Sequence, residues 1–382
     1  MDISKFTESK TGQLIPVHVP DEDHAFVPNP LPTTWEFDPT LWPKLVEARS
    51  ALSLLDGTAR NLPNPSLLLN PLQRSEAIAS SRLEGTYATP QELMLFQLDP
   101  KEPEGRNDEA NDWQEVANYN YTLSLGYARL HELPFCLRLI KEMHKALLDG
   151  ARGSERNPGE FRTHQYHVGA TRRYLPPPVS EMSQALYRFE DYLNNPSDSL
   201  DPLVRCFIAH YQLEAIHPFS DGNGRIGRVL LALMTYKWCN LKMPWLYLSP
   251  FFDRYKNEYI DFMFRVSAEG GWTRWIDFCL QGVIEQATKA VETCSALKLI
   301  KDNMHDRVHD GFSPRTYLII EGLFDTPFVR IVDLAKRFDV SYPTAKSDVT
   351  YLQGKQILEP VPGAKIATFF SPEIVRASFD TH

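Results

Sequence analysis

Apolar residues recur every three to four positions through most of this chain. That spacing predicts helices over 39–56, 73–84, 90–97, 109–131, 134–148, 179–194, 201–215, 225–239, 252–268, 271–288 and 289–309, punctuated by Gly, Pro or Asn. Period-two alternation is scarce. It occurs at Gln165, Tyr166, His167 and Val168, inside the turn-rich stretch 158–170 (PGEFRTHQYHVGA), which predicts a short hairpin. Residues 1 to about 40, with HAFVPNPLPTTW, are too proline-dense for helix and predict an extended arm. Asp99 to Asp112 reads as a charged loop, and YLPPPV at 174–179 as extended chain. The pattern changes again near the C-terminus. There 331–338 (IVDLAKRF), a turn at Val340 to Tyr342, a second helix over 344–353 and β-prone residues flanking Pro362 and Gly363 form a winged helix-turn-helix pattern.

Composition narrows the class. A length of 382 residues with 43% hydrophobic content suggests two or three domains with sizeable cores. The net charge of −9 argues against bulk affinity for nucleic acid or anionic membranes, while leaving room for a local patch. Five cysteines (Cys136, Cys206, Cys239, Cys279, Cys294) lack CxxC spacing and read as reduced thiols of a cytoplasmic protein. The first ten residues, MDISKFTESK, do not form a secretory signal, and no apolar run approaches the ~20 residues of a membrane helix.

The chemistry concentrates in one segment, His217 to Arg228, reading HPFSDGNGRIGR. His217 is the one side chain there whose ordinary pKa lies near neutrality, so it can take a proton from an attacking hydroxyl. Gly222, Asn223 and Gly224 tolerate unusual backbone angles that aim successive N–H groups inward as an anion nest. Arg225 and Arg228 fall on the first turn of an apolar helix, where backbone donors also gather. Asp221 supplies a hard oxygen ligand of the kind Mg2+ takes alongside substrate phosphates. Together these are the parts for attack on a nucleotide phosphate. No Walker A pattern is present.

The segment is similar, at every specified position, to the signature of the Fic (filamentation induced by cAMP) family, HPFx[DE]GNGRxxR. That resemblance implies a mostly α fold: a Fic-type helical bundle with a β-hairpin flap, here followed by a C-terminal winged helix-turn-helix domain. It implies an enzyme that transfers AMP from ATP to Ser, Thr or Tyr hydroxyls of proteins, including itself. By resemblance His217 is the general base, Asp221 holds Mg2+, Gly222, Asn223, Gly224 and Arg225 cradle the phosphates, and Arg228 grips the γ-phosphate. Ile226 and Gly227 complete the nucleotide-binding stretch. The expected domains are 1–110 (arm and inhibitory helices), 111–290 (catalytic), 291–310 (linker helix) and 311–382 (winged helix).

A second string, SSRLEG at 80–85, ends a predicted helix at a glycine and resembles the family's inhibitory motif [ST]xxxE[GN] through Ser80, Glu84 and Gly85. The resemblance implies that Glu84 pairs with Arg228 and competes with the γ-phosphate for one guanidinium. It also implies that the hairpin near 158–170 registers an extended target segment, with Arg162 at that entrance, that Tyr259 contacts adenine, and that the chain can form a homodimer. His164 and His167 lack a neighbouring Cys or carboxylate and read as hairpin surface residues rather than a metal pair.

Other directions stay open at this level. The same loop serves family members that transfer other phosphate-linked groups or remove AMP, and the target protein is not written in the sequence. A DNA-binding regulator that senses ATP, or a phosphate-binding scaffold without catalysis, would also use these residues. Residues 311–382 hold eight Lys or Arg and eight Asp or Glu, a balance that favours protein interaction or dimerisation over DNA binding.

Overall fold

The computed structural model describes all residues except 7–9, 19–21, 33–37, 61, 63, 99, 102, 104, 106–107, 151–155, 170–172, 196–199, 310–311, 363, 365 and 380–382, and the side chains of Met94 and Leu98. The chain opens with an antiparallel pair, β1 (Gly12–His18) and β2 (Glu22–Pro28), in register from Gly12 opposite Pro28 to His18 opposite Glu22. Helices follow: α1 (Trp42–Arg60), α2 (Ser66–Leu83), α3 (Pro90–Leu98), α4 (Ala110–Arg129), α5 (Leu137–Leu147), α6 (Val179–Asn194), α7 (Pro202–Ile216), α8 (Asn223–Trp238), α9 (Ser249–Arg254), α10 (Lys256–Glu269) and α11 (Trp272–Arg307). The last part runs α12 (Pro314–Asp325), β3 (Phe328–Arg330), α13 (Ile331–Arg337), α14 (Tyr342–Gly354), β4 (Glu359–Pro360), β5 (Thr368–Phe370) and α15 (Pro372–Phe379), with its small sheet ordered β3, β5, β4.

The centre is the pair α7 and α8, apolar on almost every side and therefore enclosed by other helices rather than lying at the surface. Asp201 caps α7 by accepting the Leu203 N–H, and Pro202 occupies the first turn, where its missing N–H costs nothing. The main core spans α1 to α11, and a second apolar core joins Leu297 and Met304 of α11 to Ile319, Leu323, Leu334, Val349 and Leu352. Helix α11 feeds both, and so does α2. Leu67 of α2 enters the second core, while Leu68, Ala77, Ile78 and Leu83 enter the first.

Several sequence expectations shift. The extended arm instead pairs as β1 and β2, because Gly12 to Val17 and Glu22 to Val27 carry enough β-branched and aromatic residues to tolerate their prolines on a two-stranded ribbon. The hairpin near 158–170 reduces to one bridge, Val168 opposite Tyr174, and β2 reaches the same segment through the Phe26 N–H and the Leu175 carbonyl (2.9 Å). The predicted helices 271–288 and 289–309 are one 36-residue helix, since no breaker interrupts QATKAVETCSALK. The predicted helix 252–268 divides at Tyr255, whose φ of −113° and ψ of 43° are not helical. α2 begins at Ser66, earlier than Gln73, and accommodates Pro71 in its second turn.

Candidate functional site

The site begins where α7 stops. His217 caps that helix in the left-handed region (φ 50°), a rare backbone state for a residue with a side chain. The state is held from outside: Arg162, 2% exposed, donates from Nε to the His217 carbonyl (2.9 Å), and its own N–H donates to the Pro218 carbonyl (2.8 Å). Arg162 also donates to the carbonyls of His164 and Pro177. It is thus a buried tie between the 162–177 segment and the loop, not an entrance residue as expected from sequence. Burial, together with the Arg162 charge, pushes the His217 imidazole down to about 4, although the nearby Glu214 carbonyl works the other way. The imidazole is therefore neutral and able to accept a proton across the physiological range.

Asn223 shapes the rest of the loop. Its side chain accepts the Phe219 N–H and donates to the Phe219 carbonyl, both at 2.8 Å, closing the turn. Phe219 stacks on His144 of α5 at 3.7 Å. His144 accepts the Gly159 N–H at Nδ1 (2.9 Å) and faces the Asp221 carbonyl from Nε2 (3.0 Å), which sets the neutral tautomer with hydrogen on Nε2. Burial lowers its pKa to about 4. Gly222 then turns into α8 at φ 74°, which an L side chain would resist. The N–H groups of Asn223, Gly224 and Arg225 open α8 and lack acceptors within the helix. Ile226 is fully buried and offers the site only backbone.

Asp221 is 42% exposed at its side chain, and its contacts with the Gly222 N–H (2.6 Å) and Arg225 (3.5 Å) both use Oδ1. Among the described residues no group of three His, Cys, Asp or Glu side chains could hold a metal by itself. One accessible carboxylate beside a phosphate-binding helix end nevertheless fits Mg2+, which completes its shell with substrate phosphates and water.

The two arginines are both buried but partnered differently. Arg225 donates to Glu115 of α4 (3.2 Å) and to Asp221. Arg228, 3% exposed, donates from Nε to the Ser80 hydroxyl (2.7 Å) and from Nη2 to the Ser80 carbonyl (2.9 Å) and the Glu84 carboxylate (2.8 Å). Partial burial tends to raise the Glu84 carboxyl, but Arg228 outweighs it and holds Glu84 below the usual carboxylate range. Burial likewise opposes the Arg228 charge, yet Glu84 and neighbouring oxygens raise its pKa well above normal. Gly85 follows at φ 90°, ending α2. Glycine at 224 makes room, since a Cβ there would lie 2.3 Å from Glu84 Oε1.

Tyr259, expected at adenine, lies in the core: 3% exposed, its ring stacked on Phe252 at 4.3 Å and its hydroxyl on His210 Nε2 at 2.8 Å. It has no open face for a base. Its helix turns the residue inward because the two apolar neighbours that line up with it, Phe252 and Trp275, come from α9 and α11. His167, read as a surface residue, meets Asp23 of β2 at 2.8 Å. The sequence reading missed Glu115, Thr86, His144 and Glu214. Glu214 is three residues before His217, and burial raises its carboxyl to about 7 despite Arg228 nearby. His144 carried a signal, being a histidine on the apolar stripe of Ile140, Met143 and Leu147.

Comparison with known proteins follows these features. The description "Fic/DOC family N-terminal" matches residues 42–128 and "Fic/DOC family" matches 134–235. The Protein adenylyltransferase Fic of Drosophila willistoni is 35% identical over 130 residues, 32% of this chain and 25% of that protein. Protein adenylyltransferase fic-1 of Caenorhabditis elegans is 42% identical over 96 residues, 25% of this chain and 18% of that protein. The chain thus spans a quarter or less of these relatives. A crystal structure of a Fic family protein from Desulfovibrio desulfuricans superposes with TM-score 0.58 at 18% identity, covering 89% of this chain and 98% of that one. A fragment of C. elegans Fic-1 gives 0.55 at 21% identity, over 68% and 74% of the two chains. These structures share the fold.

Proposed function

The chain belongs to the Fic/DOC family, and on that premise we propose that it is a protein adenylyltransferase restrained by its own Glu84. It moves AMP from ATP to a Ser, Thr or Tyr hydroxyl of a protein, itself included. The observation that carries this reading is the grip of Glu84 and Ser80 on Arg228, one turn into the helix that follows the His217 loop. A carboxylate holds the guanidinium that suits a terminal phosphate, and both cannot use it at once.

His217 accepts the proton of the target hydroxyl as its oxygen attacks the α-phosphorus in line. The bond from that phosphorus to the bridging oxygen breaks, and pyrophosphate leaves with the electron pair. Arg225 and the first N–H groups of α8 are preorganised donors for the departing charge. Arg162 keeps the His217 backbone in its left-handed state, which aims the imidazole. Mg2+, when held by Asp221, neutralises phosphate charge and orders the pyrophosphate. Removal of AMP at the same site would use water as the nucleophile: the new bond forms from water oxygen to the phosphorus, the bond to the protein oxygen breaks, and that oxygen leaves with a proton.

We read residues 311–382 as a winged helix-turn-helix unit. A second function is favoured by one observation: Arg315 binds Asp348 (2.7 Å) and withdraws that carboxylate from the open face of α14, which keeps Tyr342, Pro343, Lys346, Ser347 and Thr350 exposed. That face suits a DNA groove, and binding to duplex DNA that weakens steeply with salt would support it.

Intact mass of wild type, Glu84→Gly and His217→Ala after incubation with ATP and Mg2+ tests the principal reading. Gain of one AMP, strongest in Glu84→Gly and absent in His217→Ala, is expected. Equal gain in Glu84→Gly and wild type would remove the brake from the proposal, and gain in His217→Ala would remove the base.

A further inference from the structure

Arg225 is gripped from a side that the loop does not supply. Glu115 of α4 accepts Arg225 Nη1 (3.2 Å) and the Thr86 hydroxyl (2.7 Å) on the same oxygen, Oε2. All three side chains are enclosed, with Arg225 5%, Glu115 6% and Thr86 4% exposed. Thr86 lies two residues past Glu84, and its N–H donates to the Ser81 carbonyl (3.0 Å), so the turn that closes α2 fixes its place. The next N–H, of Tyr87, donates to Asp112 (3.2 Å), which ties this strip of chain to α4 a second time.

We propose that Glu115 is the positioning residue for Arg225 and that Thr86 fixes the Glu115 rotamer, so that the short segment Glu84 to Thr86 governs both arginines in opposite senses. Glu84 blocks the second arginine, whereas Thr86, through Glu115, aims the first. The proposal rests on the adenylyltransferase reading and deepens it.

Three physical points carry it. A long guanidinium side chain stabilises developing charge only when its aim is set beforehand. The other carboxylate on Arg225, Asp221, is 3.5 Å away, substantially exposed and assigned to the metal, so its hold weakens when MgATP arrives. Glu115 is only 6% exposed, and that enclosure makes its pull on Arg225 stronger than that of a solvated carboxylate. A buried guanidinium deprived of that partner would seek other acceptors and lose its direction.

The test is a set of variants in the Glu84→Gly background, read by kcat and KM for ATP, by ATP affinity from calorimetry, and by melting temperature. Glu115→Ala should lower kcat/KM by about 100-fold, the scale of a misplaced catalytic group. Thr86→Val, which keeps the shape and removes the hydroxyl, should lower it about tenfold with little change in melting temperature, and Thr86→Ser should restore it. In an Arg225→Ala background Glu115→Ala should cost no further activity, because the guanidinium it aims is gone. Equal losses with and without Arg225, or full activity in Thr86→Val, would overturn the proposal. If Glu84→Gly transfers no AMP, the parent reading fails alone, since the same cycle in ATP affinity still reports whether Glu115 acts through Arg225.

Discussion

Arg225 and Arg228 lie three residues apart on one helix, with nearly equal burial, yet their surroundings are built to different ends. Arg225 faces a carboxylate, Glu115, sealed inside the protein. Arg228 faces Glu84, whose side chain is 40% exposed at the C-terminal end of α2. A sealed partner cannot be exchanged for a ligand, whereas an exposed one can. On the proposed reading, the same guanidinium chemistry would yield a fixed tool in one case and a removable block in the other, and the difference lies in the partner's access to water rather than in the arginine.

The largest expected effect separates the two arginines from the chemistry. His217→Ala in the Glu84→Gly background should lower AMP transfer by about 1,000-fold, the scale of a lost general base. ATP affinity should stay within twofold, about 0.4 kcal/mol. A parallel collapse of affinity would mean that His217 holds the loop rather than the proton. Next, Glu84→Gly should tighten ATP binding about tenfold, matching one charge-assisted hydrogen bond surrendered by Arg228. Calorimetry on that variant and on Glu84→Gln distinguishes charge competition from steric blocking, because only the former is relieved by glutamine.

A pH series sharpens the comparison further, since it reads the base alone. His217 is held near 4 with Glu84 present, and Glu84 itself works to raise it, so transfer by Glu84→Gly should persist down to pH 5 and halve at or below pH 4. Halving near 6.5, the ordinary imidazole value, would show that the site is wetter than its packing indicates. The smallest effect concerns the middle of α2, where Arg74 donates to the Asp325 carbonyl at the end of α12 and so complements that helix terminus (2.5 Å). Arg74→Ala should raise wild-type transfer two- to threefold by loosening α2, about 0.5 kcal/mol, and leave Glu84→Gly unaffected.

Much of this was legible before any coordinates. The loop from His217 to Arg228 and the string from Ser80 to Gly85 were readable because their residues act near one another in sequence, and the helices were readable because burial repeats every 3.6 residues. What escaped depends on distant partners. Glu115 and His144 reach the loop from α4 and α5, and only a polar residue on an apolar stripe hinted at them. The adenine role for Tyr259 rests on family resemblance alone, whereas its amphipathic spacing points to the inner face of a helix, where the residue lies. The earlier start of α2, at Ser66 rather than Gln73, has a related cause: a proline near the start of a helix, here Pro71, sacrifices few hydrogen bonds, so packing on two cores prevails over the local break.

The partial exposure of Glu84 also has a kinetic meaning. Residues up to Ser81 are locked in the core, the Leu83 carbonyl is held by Lys256 (2.6 Å), and only a side chain must swing to free Arg228. Exposed rotamers exchange in nanoseconds, far faster than any turnover. The proposed inhibition would then be a duty cycle rather than a lock: output would be set by the fraction of time Glu84 leaves Arg228 free, which scales the apparent affinity for ATP by the same fraction.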